Sequence, residues 1–552
     1  MDSSLERRGF VKLLGFGAAA TAAGATSCGS SGSSDSGQGS EGAWWVRQSF
    51  ELEELSIAEL SQAMESGALT SEEVTRSYLG RIAALDREGA RLRAIIETNP
   101  EALDIARSLD VERAAGRIRG ALHGIPIVVK DNIDTADRMT TTAGSYALEG
   151  HVASRDSHVV ARLRDAGAVV LAKANLSEWA NFRSSRSSSG WSGRGGQCAN
   201  AFALDRNPCG SSSGSAAAVS ANFCVAAVGT ETNGSIVCPS SVNGIVGLKP
   251  TVGLVSRAGI IPIAHSQDTA GPMTRTVRDA AVMLNVLAGP DPSDAVTATS
   301  GRVAGMDYVG FLDPDGLRGA RVGIERSYWG VEPGVDALMD GALEVMRRAG
   351  AVLVDPANLA TRTRIGGPAG VVLRHEFKAD LEAYLRGANS PNGMERLVDL
   401  IEFNRQNAER EMPYFGQEIF EEVEALETDL GSAVYREALS AARTLSRDQG
   451  IDLLMDAYDL DAIVAPTTRP AWKIDLVNRD LGSSGASSPA AVAGYPSITV
   501  PNGYVHGLPV GVLFFGRAWS EGTLLRIAYG YEQATGHRSA ARLLPTVDAL
   551  GV

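Results

Sequence analysis

Four segments of the chain carry residue types that suit nucleophilic chemistry. The first, 124–134, is an apolar run that ends in a cation at Lys130. A lysine at the end of a buried strand loses hydration, which lowers its pKa and makes its amine usable as a base. Taken alone, the segment is better explained by a strand-end lysine whose ammonium group reaches out to water.

The second segment, 207–219, is a Gly/Ser loop that leads into an alanine-rich stretch. Such a loop offers backbone N–H groups and hydroxyls as hydrogen-bond donors. Gly210-Ser-Ser-Ser-Gly214 formally fits the nucleophile elbow of α/β-hydrolases, with Ser212 as nucleophile, but that motif needs a strand immediately before it. The preceding Asp-Arg-Asn-Pro-Cys is not a strand pattern, and the loop has no lysine for a phosphate-binding P-loop. A flexible serine loop remains the alternative.

The third segment, 228–240, contains a small-residue turn in which Ser235 follows Asn233 and Gly234. The N–H groups from Thr232 to Ser235 could converge on one point, as an oxyanion hole requires. The fourth segment, 247–273, is dense in turn residues, and we expect it to pack beside the third.

Together these segments resemble the amidase signature family, whose catalytic triad is Ser–cis-Ser–Lys. The family's Gly-Gly-Ser-Ser-Gly-Gly-Ser stretch corresponds to Cys209-Gly-Ser-Ser-Ser-Gly-Ser215. Its Gly-Thr-Asp-Thr-Gly-Gly-Ser stretch corresponds to Gly229-Thr-Glu-Thr-Asn-Gly-Ser235. The departures, which leave the lysine and the catalytic hydroxyls in place, are Cys209, Ser213, Glu231 and Asn233. Because asparagine tolerates a positive φ, we expect the turn to survive at Asn233.

The resemblance assigns roles to individual residues. It implies that Ser235 attacks an amide carbonyl, that Ser211 passes the proton on, and that neutral Lys130 accepts it. It further implies an oxyanion hole at Thr232, Asn233, Gly234 and Ser235, and a supporting hydrogen bond from Ser212. The reaction would run through an acyl-enzyme and would need no cofactor and no metal.

The resemblance extends over about 55–535 and is greatest to the peptide amidase branch, which hydrolyses C-terminal peptide amides. The stretches shared with that branch are 175–182, 189–192, 207–217, 229–239, 247–256, 266–273, 465–468 and 491–496. A general aliphatic or aryl amidase of the same family is the alternative, since substrate choice depends on loops that the sequence does not identify. A solute-binding lipoprotein is the alternative from a different class, and it would have no need of Lys130, Ser211 and Ser235.

The histidines and cysteines give weaker signals. No two histidines stand at a spacing typical of metal ligands. Cys198, Cys209, Cys224 and Cys238 crowd the same region, where small buried residues are a better interpretation than a catalytic thiol. A disulfide between Cys209 and Cys238 would suit an exported protein, but spacing alone does not establish it.

The N-terminal residues read as a targeting segment. Arg7 and Arg8 precede a short apolar run that resembles a twin-arginine signal peptide over 1–27. Residues 28–43 form a Gly/Ser-rich linker, and Cys28 at its start is a candidate for lipidation. The apolar run is too short to span a membrane, so we expect a periplasmic or cell-surface protein, with a lipid at Cys28 as its membrane link. Export also disfavours the glutaminase subunit of a tRNA-dependent amidotransferase, which shares the fold.

The elements that must position these residues alternate between strand and helix. Buried-strand patterns cover 124–130, 168–173, 461–466 and 510–516, whereas 56–85, 90–104, 158–168 and most of 335–460 have helical spacing. Thr70 and Glu73 are placed as a capping box. The pattern predicts an α/β fold, and the resemblance implies a central mixed β-sheet with helices on both faces in a single large domain over 44–552.

Composition limits the remaining functions. The chain has 552 residues, of which 44% are hydrophobic and 21% charged, as in soluble globular proteins. Its 51 basic and 65 acidic residues give a net charge of −14, which argues against non-specific nucleic-acid binding. The resemblance implies a small amide or a short peptide amide as the partner, and the sequence is silent on oligomeric state.

Overall fold

A computed structural model of the chain describes residues 50–303, 305–388, 390–427, 429–481 and 485–547. The predicted signal peptide 1–27, the linker 28–43 with Cys28, and the domain boundary at residue 44 lie outside these ranges and stay predictions. Within the described ranges, no helix is long and apolar enough to cross a membrane.

One mixed sheet of eleven strands organises the described structure. Its strands lie in the order β1-β3-β2-β6-β8-β7-β12-β13-β11-β9-β10, and β4 and β5 form a separate two-stranded sheet. The strands are β1 Ile95–Thr98, β2 Pro126–Lys130, β3 Val169–Ala174, β4 Trp191–Ser192, β5 Gly196–Gln197, β6 Ala226–Glu231, β7 Val246–Lys249, β8 Thr269–Thr274, β9 Arg321–Ile324, β10 Val352–Val354, β11 Ala462–Pro466, β12 Ser497–Val505 and β13 Leu508–Phe515. Strand β2 pairs in parallel with both β3 and β6, whereas β6 pairs antiparallel with β8.

Helices pack against the sheet, and those within 366–425 contribute to a separate hydrophobic cluster. The α-helices of the described ranges are α1 Ile57–Glu65, α2 Ser71–Ile82, α3 Ala102–Ala114, α4 His158–Asp165, α5 Ser213–Ser220, α6 Val237–Val242, α7 Val277–Leu287, α8 Pro333–Arg348, α9 Gly366–Ala388, α10 Leu397–Gln406, α11 Ala408–Glu411, α12 Glu418–Ala425, α13 Ala433–Ser446, α14 Asp452–Tyr458, α15 Ser488–Ala493 and α16 Glu521–Thr535. The predicted capping box is confirmed, because Thr70 and Glu73 each bond the other's backbone amide at the start of α2.

The buried-strand predictions are confirmed at the four places where the apolar run is continuous. All residues of β2, β3, β11 and β13 are buried, as expected for strands covered on both faces. The α/β class and the single large domain are therefore as expected.

One element prediction is wrong. Residues 90–104, expected to be helical, hold strand β1, because Ile95–Thr98 pairs antiparallel with β3. The buried carboxylate of Asp86 accepts the amides of Ala94 and Ile95 at the start of this strand. The fourth segment, 247–273, has turns over much of 250–268, between β7 and β8. Its place beside the third segment is confirmed by the pairing of β6 with β8.

The helices of 366–425 form a hydrophobic cluster of their own beside the carboxyl ends of β2 and β6. Phe377, Leu381 and Phe420 in this cluster pack with Trp179, which comes from the loop that follows β3. This contact fixes α9 against the sheet, and α9 becomes one wall of the site described next.

Candidate active site

Lys130 is the last residue of β2, and its side chain is completely buried. Its Nζ donates to the Oγ of Ser211 at 2.7 Å and to the Oγ1 of Thr230 at 2.8 Å. Burial lowers the pKa of Lys130 to about 7. Lys130 therefore combines direct contact with a hydroxyl and a pKa that leaves much of the amine neutral near neutral pH.

Ser211 lies in the loop before α5, and the Gly210–Ser211 peptide bond is cis. The loop is held against the chain after β3, because the amide of Ser177 donates to the carbonyl of Ser211 at 3.1 Å. A Cβ built on Gly210 would collide with the Oγ of Ser177, so a larger residue there would force the Ser177 side chain to move. The loop thus brings Ser211 to Lys130 from 81 residues away.

Ser235 lies in the turn that connects β6 to α6. The carboxylate of Glu231 accepts the amides of Ile236 and Val237 at 2.8 and 3.1 Å, which fixes the far side of this turn. The positive φ of the turn, +85°, is at Gly234, so the expectation of a positive φ at Asn233 is wrong. Asn233 instead bonds another segment, since its Oδ1 accepts from Ser487 at 2.9 Å.

The same turn presents unused backbone donors. Among the described residues, the amides of Asn233, Gly234 and Ser235 donate to no acceptor. Thr232, the fourth predicted member, is anchored by its hydroxyl, which donates to Asp268 at 2.5 Å. An array of successive free N–H groups beside a serine is the arrangement that can bind an oxyanion.

The structure brings Lys130 and Ser211 into direct contact, but no hydrogen bond joins the hydroxyls of Ser211 and Ser235 in the described ranges. The two serine loops meet through the backbone, where the amide of Ser212 donates to the carbonyl of Ser235 at 3.2 Å. Catalytic hydrogen bonds of this kind are commonly long until substrate is bound.

Ser212 bonds Thr230 rather than either catalytic hydroxyl. Its Oγ donates to the Thr230 carbonyl at 2.9 Å and accepts the Thr230 amide at 3.2 Å. Thr230 in turn accepts from Lys130 and from the Nδ2 of Asn132 at 3.1 Å. Thr230 and Asn132 were not singled out from the sequence. Each lies two residues from a residue that was singled out, Thr232 and Lys130 respectively.

Two cavities meet at this centre. The larger, of about 450 Å³, is lined by Ser211, Thr230 and Thr232 and extends between α9 and the loops 151–155 and 257–265. The smaller, of about 310 Å³, is lined by Ser235 and by the apolar side chains of Phe182, Leu373 and Trp472. Ala180, Thr232 and Ile263 line both cavities, so the catalytic groups stand at their junction.

A disulfide joins the two serine loops. Cys209 and Cys238 are bonded, with a Cα–Cα distance of 6.1 Å, which gives the pairing that spacing alone could not. Cys198 and Cys224 are free and completely buried, and burial raises the pKa of Cys224 to about 12. A thiol with so high a pKa is a poor nucleophile, which disfavours the catalytic-cysteine interpretation.

Of the described residues, His265, Glu376 and Asp380 form the group whose donor atoms lie close enough to hold a metal ion. These donors are already engaged with one another. The Nδ1 of His265 lies 2.8 Å from Asp380, and this bond raises the pKa of the imidazole. Glu376 accepts from the hydroxyl of Tyr435 at 2.7 Å. The group is therefore better described as a histidine whose two ring nitrogens each lie beside a carboxylate.

The chain is similar in sequence to known amidases over most of its length. A family model described as Amidase matches residues 73–525. A probable amidase from Arabidopsis thaliana is 41% identical over 497 residues, which are 88% of this chain and 91% of that protein. A glutamyl-tRNA(Gln) amidotransferase subunit from Carboxydothermus hydrogenoformans is 35% identical over 89% of this chain and 99% of its own length.

Among solved structures, the native peptide amidase from Stenotrophomonas maltophilia superimposes with a TM-score of 0.86. It is 51% identical in sequence, and the match covers 89% of this chain and 99% of that one.

Proposed function

The chain belongs to the amidase family, and from this premise we propose that it hydrolyses the C-terminal amide of short peptides to a carboxylate and ammonia. The observation that carries the proposal is the contact between Lys130, whose pKa is lowered to about 7, and Ser211 beside the Ser235 turn. The similarity to a peptide amidase supports the choice of substrate. An amidase needs catalytic groups that a binding protein would not, so the solute-binding alternative is not favoured.

In the proposed first step, the Oγ of Ser235 attacks the amide carbon. Its proton passes to Ser211, whose own proton moves to the neutral amine of Lys130. The amides of Asn233, Gly234 and Ser235 would bind the oxygen that becomes negatively charged, and loss of one such donor costs about 3–4 kcal/mol in other enzymes.

In the second step, the C–N bond breaks and the relay returns the proton to the leaving nitrogen, which departs as ammonia. An acyl group then remains on Ser235. Water attacks this ester and gives its proton to the same relay, and Ser235 is restored as the carboxylic acid leaves. The chemistry is balanced with water as the only co-substrate.

The test is ammonia release from an amidated dipeptide by protein that lacks residues 1–42, with Ser235→Ala measured beside it. An unamidated tripeptide and a simple aliphatic amide serve as substrate controls. We expect ammonia from the dipeptide amide alone, and we expect the variant to release none above background. Equal release by Ser235→Ala would refute the assignment of the nucleophile.

A general aryl amidase is the second candidate, and the smaller cavity favours it. Phe182, Leu373 and Trp472 give that cavity apolar walls next to Ser235, which would suit an aromatic leaving group. Release of an aromatic amine from an anilide faster than release of ammonia from the peptide amide would establish this function. The fold and the catalytic assignment would be unchanged by that result.

A further inference from the structure

The larger cavity has a polar end that the proposed reaction does not use. Asp134 lies there, four residues after Lys130, and its carboxylate accepts from the hydroxyl of Tyr384 at 2.8 Å. The side chain is nearly buried, and burial raises the pKa of Asp134 to about 6. At neutral pH this group is therefore an anion with little access to water, which a cationic ligand would stabilise.

Helix α9 carries a second carboxylate to the same cavity. Asp380, Tyr384 and Gly387 line it at a spacing of four and three residues, which puts them on one face of the helix. One oxygen of Asp380 accepts from the backbone amide and the ring of His265. Asp380 therefore lies one helical turn from Tyr384, whose hydroxyl donates to Asp134.

The other charged groups around this end are largely compensated. Arg257 is paired with Asp294 through its Nε at 2.9 Å and its Nη2 at 2.5 Å. Lys173 is completely buried, and its Nζ donates to the carbonyl of Ile133 at 2.7 Å and to the hydroxyl of Thr141 at 2.8 Å. Its charge also interacts with the carboxylates of Asp131 and Asp134. Arg155 lines the cavity from the exposed rim, where solvent screens its charge.

Buried polar atoms without partners point to a bound ligand. The Oδ1 of Asn132 and the Nε2 of His151 have no hydrogen-bond partner, although both side chains line the cavity and are only 3% and 2% exposed. Unpaired polar atoms are costly when buried, so each is a place where a ligand's polar group gains a bond. Asn132 lies beside the catalytic Thr230, and His151 has its ring edge-on to Tyr384 at 6.5 Å.

We propose that Asp134 and Asp380 form a subsite for the free α-ammonium group of a short peptide amide bound in the larger cavity. This inference rests on the proposed function and extends it to the other end of the substrate. The carboxylates would bind the ammonium group, while Asn132 and His151 would bond the intervening peptide groups.

Four residues span at most about 14 Å, so the Cα atoms of Lys130 and Asp134 are no further apart than this. The subsite should favour short peptide amides with a free N-terminus over those whose N-terminus is blocked.

The test compares alanyl-alanyl-leucinamide with its N-acetyl derivative, which lacks the positive charge. We expect kcat/KM of the unmodified protein to favour the free N-terminus by about tenfold or more, mostly through KM. Asp134→Asn and Asp380→Asn should each bring the ratio close to one. Asp480→Asn is the matched control, because Asp480 is a carboxylate that lines the smaller cavity. It should leave the ratio unchanged.

Binding of both peptides to the Ser235→Ala variant, measured by calorimetry, separates this inference from the proposed function. Equal affinity for the free and the acetylated peptide would overturn the subsite. The subsite would also be overturned if the preference for the free N-terminus were lost in Asp480→Asn and kept in Asp134→Asn and Asp380→Asn. The ammonium group would then lie in the smaller cavity. If the variant prefers the free peptide but the unmodified protein releases no ammonia from it, the subsite is supported and the peptide-amidase function is refuted.

Discussion

Lys130 and Lys249 show why contact, and not burial alone, is the reason to propose Lys130 as the catalytic base. Both side chains are completely buried, and burial lowers their pKa values to about 7 and about 8. Lys249 donates to the carbonyl of Pro250 at 3.0 Å, where no proton can be delivered. Lys130 donates to a serine hydroxyl, so it is the lysine that can take part in proton transfer.

The protonation state of Lys130 gives the enzyme a defined pH dependence. Only the neutral amine accepts a proton, so kcat/KM should rise with pH along a limb centred near pH 7 and level off above about pH 8. The N-acetylated peptide amide is the substrate for this measurement, because it has no titrating group of its own in this range. A profile that is flat between about pH 5 and 9 would contradict the assignment of the base.

Ser212 should act by positioning Thr230. Ser212→Ala removes the hydroxyl that donates to and accepts from the Thr230 backbone, so Thr230 should hold Lys130 less precisely. We expect kcat to fall by up to about tenfold, with KM nearly unchanged. Ser215→Ala is the control, since Ser215 lies three positions further along the same loop-helix segment and bonds only Val228 at 3.4 Å. An equal loss of kcat in both variants would show a general effect on α5.

At the scale of elements, the sequence predicted the buried strands, because each of them is a continuous apolar run. Strands β2 and β3 are buried throughout, so their composition alone identifies them. Strand β1 lacks this signal, because it is short and lies at the sheet edge with only its first residue buried. Strands β7 and β8 contain glycine and proline, which in isolation predict turns. They are strands because they pair with neighbouring strands of the sheet, and the sequence alone does not show that pairing.

Gly271 in β8 is a glycine that lies within a strand and does not mark a turn. Its φ is not positive, and a Cβ at this position would collide with the carbonyl oxygen of Leu248. The residue is therefore glycine because β8 approaches neighbouring backbone closely, and not because it turns.

Gly271→Ala should consequently destabilise the protein by several kcal/mol or prevent folding, as measured by chemical unfolding. Gly341→Ala is the matched control, because Gly341 lies within α8 and a Cβ there meets nothing within 4 Å. This variant should be neutral or more stable by about 0.4–1 kcal/mol. Similar stabilities for the two variants would contradict the close-approach argument.

At the scale of the whole molecule, the sequence predicted which loops meet, but it did not predict the cavity beside them. Lys130, Ser211 and Ser235, the proposed catalytic residues, stand in recognisable local motifs, and local motifs are what a single sequence displays. The cavity combines Asp134, Asp268 and Asp380, which come from three distant parts of the chain. The position of α9 along this cavity depends on packing in the second hydrophobic cluster, which no local motif indicates.

We propose that the protein is exported, as its N-terminal residues predict. The Cys209–Cys238 bond supports this proposal, because disulfides persist mainly in oxidising compartments. In a bacterial host, the unmodified chain should be recovered outside the cytoplasm, and a chain carrying Arg7→Lys and Arg8→Lys should accumulate inside it. Fractionation with activity assays measures this. Equal distribution of the two chains would argue against a twin-arginine signal.

The disulfide also makes a closed covalent ring of the chain between Cys209 and Cys238, which are 29 positions apart. Ser211 and Ser235 both lie inside that ring. A protease that cuts one peptide bond within it opens the ring, but the two new ends stay attached through the sulfur atoms. A nicked molecule would thus keep both serines on one covalently connected piece, which would be an advantage if the protein meets proteases outside the cell, as the proposed export implies.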